Sequence, residues 1–383
     1  MKKALILCPE YPYPTNAGDK ISTHGYIVSL KRHGYAIEMI CFANDTNDTI
    51  EKNEYIDKIY TIKKPPKISL LGFIKFLGGK SYLLDRYYTY DNKIMINKII
   101  ECGNYDIVLA IQLTMGQYIA DKRNSMLSTE VLYGRAFCSN LKYEQNILKK
   151  IFYYFEKNRV EKAERIAFER FKKVIFYSHD DIKYWNEKFK KIDNFLYLPL
   201  GLDLLEYPLL KRHDSNLVLG YYGNFTWFPT ADGLRYLLND IWPKIEKEIK
   251  GVKLKIAGRG LPNWAYKYEN ENCEMIGEVK SMQDFVESLD IVLAPVRVGG
   301  GIRLKILEAM AWGRPVIATN AAMEGNDINK EKMIINVADK TEDYVDIIKK
   351  ISTDEMWNKI VNGQRDYIER CHNALTCLDL IYE

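Results

Sequence analysis

The stretch from Gly299 to Thr319 (GGGIRLKILEAMAWGRPVIAT) admits few folds. Asp290 to Pro295 before it is a short apolar run of strand length. After the glycines, Ile302, Ile306 and Met310 recur at helical spacing. Gly313 stands where a helix C-cap belongs, and Pro315-Val316-Ile317-Ala318 is a second strand. The pattern is strand, glycine turn, helix, strand. Gly299, Gly300 and Gly301 at a helix N-terminus let backbone N–H groups approach an anion, and the helix dipole favours negative charge there. Arg303 and Lys305 place cations where the dipole prefers acids, which points to an external anion, most simply a phosphate or diphosphate. Glu308 follows Lys305 by one turn on the same face. Taken alone, Lys305 and Glu308 also fit an ordinary surface ion pair worth ~0.3 kcal/mol.

At 383 residues the chain fits two domains of comparable size, and 47% apolar with 28% charged residues is a globular composition. A net charge of +4 suits an anionic substrate or a membrane surface but is far from the dense basic stripe of a nucleic-acid binder, so no nucleic-acid partner is expected. Seven cysteines without C-x-x-C spacing read as reduced thiols, and five scattered histidines supply no metal-like cluster. No run of ~18 apolar residues is present to span a bilayer. The expected location is the cytoplasm, with room for peripheral contact at the inner face of the membrane.

Strands and helices alternate along the first half. Expected strands are Lys3 to Cys8, Ala36 to Phe42, Asp57 to Ile62, Tyr105 to Ile111, Thr129 to Tyr133 and Lys173 to Ser178. Ser22 to Arg32 and the charged region Leu141 to Phe171 read as helical, Asp180-Asp181 as a helix start, and Arg135 to Ser139 as a loop after a strand. This order builds a doubly wound parallel sheet. Leu198 to Asp203 marks a crossing point. Beyond it, Leu217 to Tyr222, Lys253 to Ala257 and Cys273 to Ile276 read as strands that turn at Gly223, Gly258 and Gly277, with a helix from Ala231 to Ile241. Two Rossmann-like halves, 1–199 and 200–365, are expected to face a central cleft, where open α/β sheets bind ligands.

In this order the residues resemble the GT-B retaining glycosyltransferases of family 4 (group 1). The resemblance rests on the Gly loop after the first strand, Ser178 after a strand, Gly201-Leu202-Asp203, Gly258-Arg259, then Lys305 and Glu308 before Ala309-Met310-Ala311-x-Gly313-x-Pro315-Val316. It covers essentially the whole chain and is specific across Asp290 to Thr319. It implies transfer of a sugar from a nucleotide diphosphate-sugar to a hydroxyl of a saccharide or lipid-linked acceptor, in cell-envelope polysaccharide or glycolipid assembly. No other cofactor and no metal ion is implied. Glu308 would accept from the donor ribose hydroxyls, and Lys305 would meet the diphosphate. With Arg303 and the amides of Gly299, Gly300, Gly301 and Ile302, Lys305 would stabilise the charge on the leaving group. Gly223 and Asn224 belong to the donor-side loop. Gly258, Arg259, Gly277 and Val279 would flank the base, and Gly18 would face the donor phosphates. Asp19, His24, Arg135 and Ser139 are the acceptor-side candidates. His24 also fits a surface or capping role, and Arg135 and Ser139 a plain loop. A C-terminal helix, 366–383, would return to the first domain.

Two departures stand out. Many members carry a glutamate eight residues before the counterpart of Glu308, where this chain has Gly300. Many also place Arg and Lys in the loop corresponding to Gly223–Thr230, which here holds no cation. A catalytically silent nucleotide-sugar-binding subunit, or another GT-B enzyme such as an epimerase or phosphorylase, is the competing reading. Separately, residues 63–90 mix lysines with leucines, phenylalanines and tyrosines, which fits either a lipid-facing patch or helices packed on the first domain.

Overall fold

A computed structural model of the chain describes residues 2–43, 53–64, 74, 76–144, 146–212, 216–298, 301–325 and 336–382. The chain forms two compact units, Met1–Asp203 with His372–Glu383, and Leu204–Cys371.

The first unit is built on β1 (Lys2–Cys8), β2 (Tyr35–Ala43), β3 (Lys58–Lys63), β4 (Ile107–Ile111), β5 (Ser125–Thr129), β6 (Lys173–Phe176) and β7 (Phe195–Tyr197). They form one sheet in the order β3-β2-β1-β4-β5-β6-β7, and every neighbouring pair is parallel. Ala4 to Cys8 and Ile107 to Ile111 are continuous apolar runs because helices cover both faces of a parallel sheet, so neither side of these strands meets water. Its principal helices are α1 (Gly18–Arg32), α2 (Tyr90–Gly103), α3 (Tyr133–Tyr143), α4 (Ile147–Phe168) and α5 (His179–Lys188). Leu5, Leu7, Val108, Leu127, Phe168, Phe176 and Trp185 share the core. Residues 372–382 complete this unit: Leu202 bridges Asn373, and the Tyr382 hydroxyl meets Ser29 at 2.9 Å.

The second unit holds β8 (Val218–Tyr222), β9 (Lys253–Ala257), β10 (Cys273–Gly277), β11 (Ile291–Ala294), β12 (Val316–Ala318) and β13 (Asn336–Val337), ordered β10-β9-β8-β11-β12-β13. All pairs are again parallel. Helices α6 (Phe228–Tyr236), α7 (Leu304–Ala311), α8 (Thr341–Ile351) and α9 (Asp354–Cys371) belong to it. Leu219, Leu234, Ile256, Leu293, Tyr344 and Trp357 lie in its core. Strand order reverses between β1 and β4 in the first sheet and between β8 and β11 in the second. Ligands of open α/β sheets bind at the carboxyl ends of the strands flanking such switch points.

Several boundaries differ from the sequence reading. The strand expected at Thr129–Tyr133 is Ser125–Thr129, and Arg135 and Ser139 lie inside α3 rather than in a loop. The polar Ser125 and Ser128 are nevertheless fully buried strand residues, which alternation of polarity does not reveal. Leu141–Phe171 is divided, and Asn146 caps α4 by accepting from the amides of Leu148 and Lys149. The helix expected at Ala231–Ile241 is α6, then a π-helical turn over Leu237–Ile241, then a helix from Trp242. The helix expected over 366–383 ends at Cys371; residues 372–382 are turns and a short 3-10 segment. Asn373 breaks the helix by pairing with Leu202 and accepting from Leu375 through its side chain.

Candidate functional site

Three glycine turns stand at the carboxyl ends of β8, β9 and β10. Gly223, Gly258 and Gly277 have φ of +148°, +142° and +77°. They are laced together: Gly223 N–H donates to Ala257 O at 3.1 Å, and Gly258 N–H to Gly277 O at 2.6 Å. A Cβ on Gly258 would fall 1.8 Å from Gly223 O, so only glycine fits where these two turns touch. Asn224 folds its side chain back onto Thr226 N–H at 3.0 Å, an Asx turn that shapes the loop. Arg259 and Glu278 are exposed and 3.4 Å apart, and Val279 is partly buried beyond the Gly277 turn.

Helix α7 begins beside these turns. Its N-cap is Arg303, so Ile302 and Arg303 lead into the helix and Lys305 is in its first turn. The Lys305 Nζ donates to Tyr222 O at 3.1 Å, while the Tyr222 hydroxyl donates to Lys305 O at 3.0 Å. This exchange pins the helix start to the end of β8. The same ammonium lies 4.4 Å above the Tyr221 ring and 3.5 Å from where a Gly223 Cβ would be. Arg303 donates to Val298 O at 3.2 Å. Glu308 accepts from the Tyr207 hydroxyl at 3.2 Å. Burial lowers the Lys305 ammonium to about 7, and the Arg303 guanidinium pushes the same way. Burial raises the Glu308 carboxyl to about 7; the Tyr207 hydrogen bond opposes this and Glu206 adds to it. Lys305 and Glu308 are thus held apart by Tyr222 and Tyr207 rather than paired as a surface salt bridge. Two half-desolvated groups of opposite sign on one helix face suit a ligand with an anion and hydroxyls one helical turn apart. Gly301 has φ +80° before α7; Gly299 and Gly300 lie outside the described residues.

In the first unit, Gly18 is the first residue of α1 and Asp19 lies in its first turn. Burial raises the Asp19 carboxyl, backbone hydrogen bonds oppose this, and Glu10 adds to it. Nearby is a cluster that the sequence reading missed. Glu130, just after β5, accepts from the Gln112 amide at 2.9 Å and from the Ser22 hydroxyl. The Tyr133 hydroxyl donates to Gln112 Oε1 at 3.1 Å. Burial raises Glu130 to about 7 against those two hydrogen bonds, and Asp19 contributes in the same upward direction. Gln112 holds φ +67°, a left-handed backbone that costs a non-glycine residue ~1–3 kcal/mol and gathers at functional sites. Single polar residues after strand-length runs were the available signal.

The other acceptor-side candidates are engaged within the first unit. His24 is buried, with Nδ1 2.9 Å from the Tyr13 hydroxyl and Nε2 3.4 Å from Asp203. Arg135 pairs with Asp181 and stacks over Tyr184, and Ser139 lies one turn further along α3. Among the described residues, no group of three or more His, Cys, Asp or Glu side chains is placed to hold a metal ion.

Residues 216–354 match the family described as Glycosyl transferases group 1. That span contains Gly223, Gly258, Gly277, Arg303, Lys305 and Glu308. Across 89% of the chain and 88% of the other protein, the sequence is 24% identical to an uncharacterized 44.6 kDa protein in the cps region of Klebsiella pneumoniae. The fold is similar to sucrose-phosphate synthase of Thermosynechococcus elongatus, with a TM-score of 0.73 at 14% identity over 100% of this chain and 98% of that one. It is also similar to the Anabaena protein HepE solved with UDP and glucose, with a TM-score of 0.67, 14% identity and the same coverage. The two parallel sheets with their alternating helices are those of the GT-B fold, and the span that matches Glycosyl transferases group 1 lies in the second unit.

Proposed function

We propose that this chain is a retaining glycosyltransferase that takes a sugar from a nucleotide diphosphate-sugar and delivers it to a hydroxyl acceptor. The observation that carries the reading is Lys305 and Glu308 one turn apart on α7, desolvated and held separately beside the Gly223 turn. Lys305 and Arg303 meet the diphosphate, Glu308 accepts from the ribose hydroxyls, and the turns at Gly258–Arg259 and Gly277–Val279 border the base. Charge grows on the diphosphate as the glycosidic bond breaks, so cations already in place stabilise the transition state more than the ground state. We assign the neutralisation to these side chains with no metal ion, and transfer that persists in chelator tests this. In the first unit, Gly18 and Asp19 with Ser22, Gln112 and Glu130 are the groups offered to phosphate and acceptor hydroxyls. The solved relative with UDP and glucose supports a sugar nucleotide as donor. The relative in a cps region supports a setting in envelope polysaccharide or glycolipid assembly.

Calorimetric titration with UDP and other nucleoside diphosphates tests the donor site. Lys305→Ala is expected to weaken binding about tenfold to a hundredfold, the worth of a charge-assisted contact. Glu308→Gln is expected to weaken nucleoside diphosphates and leave inorganic diphosphate nearly unaffected. Unaltered affinity in both variants overturns the assignment. An NMR spectrum of the product tests retention, since the anomeric configuration of the transferred sugar should equal that of the donor. Gly300, where a glutamate is common, favours a second reading as a silent binding subunit. Nucleotide-sugar binding without transfer or donor hydrolysis would establish it.

A further inference from the structure

Helix α4 is inside out over its first half. Its buried face carries Glu156, Val160 and Glu164, with the apolar Ala167 and Phe168 only at its C-terminal end. Its exposed face carries Ile147, Leu148, Ile151, Tyr154 and Phe155, with Ile147 71% and Leu148 74% exposed. These residues recur at three- and four-residue spacing, so they form one stripe. The buried glutamates are not strays. Glu156 accepts from Ser81 Oγ at 2.7 Å and from the amides of Tyr82 and Leu83 at 3.0 and 2.7 Å, and Glu164 receives the Gly134 amide at 3.3 Å. The helix is therefore anchored in this orientation by its acids, and the apolar stripe faces water by construction. Lys149 and the Lys150 stem flank it. Phe76 packs on Phe152 with ring centroids 5.3 Å apart, and Ile74 and Leu77 of the same segment are exposed.

The same face continues into the second half of α4 as Asn158, Lys162 and Ile166, and there it lines a cavity of about 460 Å³. Lys80, Lys122, Arg159 and Lys162 give this cavity four cations against one carboxylate, Asp85. The Arg159 guanidinium is fixed 4.1 Å above the Phe76 ring and donates to Lys80 O at 3.3 Å. Burial lowers Lys122 to about 8, with repulsion from Arg170 and Lys93 adding to the effect, and a bound anion would relieve that repulsion.

We propose that α4 lies on an anionic bilayer surface, its Ile147–Phe155 stripe seated among the acyl chains and the Lys80–Lys122–Arg159–Lys162 cavity holding a lipid phosphate head group. An apolar helix face rimmed by cations is the arrangement that lies in a membrane interface, and anionic lipids add attraction for each basic residue near the surface. A soluble protein partner would be matched by an apolar face alone; the adjoining cationic cavity, continuous with the stripe on one helix face, matches an amphiphile with a phosphate head. The surface lies outside the donor site, so it does not rest on the transfer reaction.

Flotation of the full chain with phosphatidylcholine vesicles, with and without phosphatidylglycerol, is the test. The chain is expected to float with the anionic vesicles and to be released by raised salt. Ile151→Asp with Phe155→Asp should lower partitioning at least about tenfold on either vesicle. Lys80→Glu with Lys162→Glu should remove the preference for anionic vesicles, each lost cation weakening it roughly fivefold. Hydrogen exchange of the unmutated chain should show added protection over residues 147–166 when vesicles are present, a readout that needs no variant. Absent protection there, or full flotation of the aspartate variant, overturns the proposal. So does light scattering that shows dimers abolished by the aspartate pair, which would make the stripe a contact between two copies. Release from vesicles by millimolar inorganic phosphate would make the cavity a free-anion site and overturn it equally.

Discussion

Lys305 and Glu308 hold pKa values near 7 for opposite reasons of charge but the same reason of burial, and this gives the donor site a pH signature. A diphosphate favours the ammonium form of Lys305, and ribose hydroxyls favour the carboxylate form of Glu308. Nucleoside diphosphate binding should peak near pH 7 and weaken on either side. At pH 8 the free protein has mostly lost the Lys305 proton, so binding should take up protons. Titration calorimetry in buffers of different ionisation heat measures this, and Lys305→Ala should abolish the uptake. Stability follows by linkage. From about pH 4.5 to 7 the folded chain keeps a Glu308 proton that the unfolded chain releases, so this residue's contribution falls as pH rises. From about pH 7 to 10.5 the unfolded chain keeps a Lys305 proton that the folded chain has lost, so stability rises again. Glu308→Gln should therefore raise the melting temperature above pH 7 relative to the native protein while weakening the nucleotide. Gly258→Ala is the second test at this scale. Its Cβ would meet Gly223 O at 1.8 Å, so the turn must open, with a loss of stability and of nucleotide binding together. Gly34→Ala, at φ +77° with open space around it, should cost only the ~1–2 kcal/mol of left-handed backbone.

Among the elements, α4 shows how far a buried acid can decide orientation. Glu156 satisfies three donors of the segment 81–83, one of them the Ser81 hydroxyl that itself caps the following turn at Leu84 N–H. Glu156→Ala leaves those donors buried without a partner, at ~1–3 kcal/mol for each neutral group that water cannot reach. Thermal melting should register a drop of several degrees, and hydrogen exchange should localise the loosening to residues 81–85 before the rest of the first unit. Glu156→Gln keeps one acceptor oxygen and should lose less. The parallel strands behave differently, because apolar residues on both of their faces carry most of the burial themselves.

At the scale of the whole molecule, the last residues belong to the first unit although the chain enters them from α9 of the second. Ala374, Leu378 and Ile381 are buried, His372 bonds Leu200 O at 2.8 Å, and Arg32 reaches Leu375 O. Removing residues 372–383 strips three apolar anchors at ~1–3 kcal/mol each. Differential scanning calorimetry should show a lowered transition for the first unit and an unchanged one for the second. Equal lowering of both would mean that the two units melt as one cooperative block.

The chain's own pattern determined the doubly wound halves and the glycine turn before α7, because apolar runs of strand length, turn glycines and helical spacing are local signals. The same local signals marked Arg303 and Lys305, since cations at a helix N-terminus violate a rule that operates within one turn, while Glu308 stood out by its place one turn further on and by the family resemblance. Only the tertiary structure decided what those residues face. Tyr207 and Tyr222 keep Lys305 and Glu308 apart across separations in sequence that no periodicity encodes. Arg135 carried a polar label that equally fitted a loop, yet it is tied to Asp181 within a helix. Glu130, Gln112 and Ser22 converge from three places in the chain, and α4 turns its acids inward because their donors come from residues 81–83 and 134. Burial of a polar group is settled by partners distant in sequence, whereas the strand or helix that carries it is settled by its neighbours.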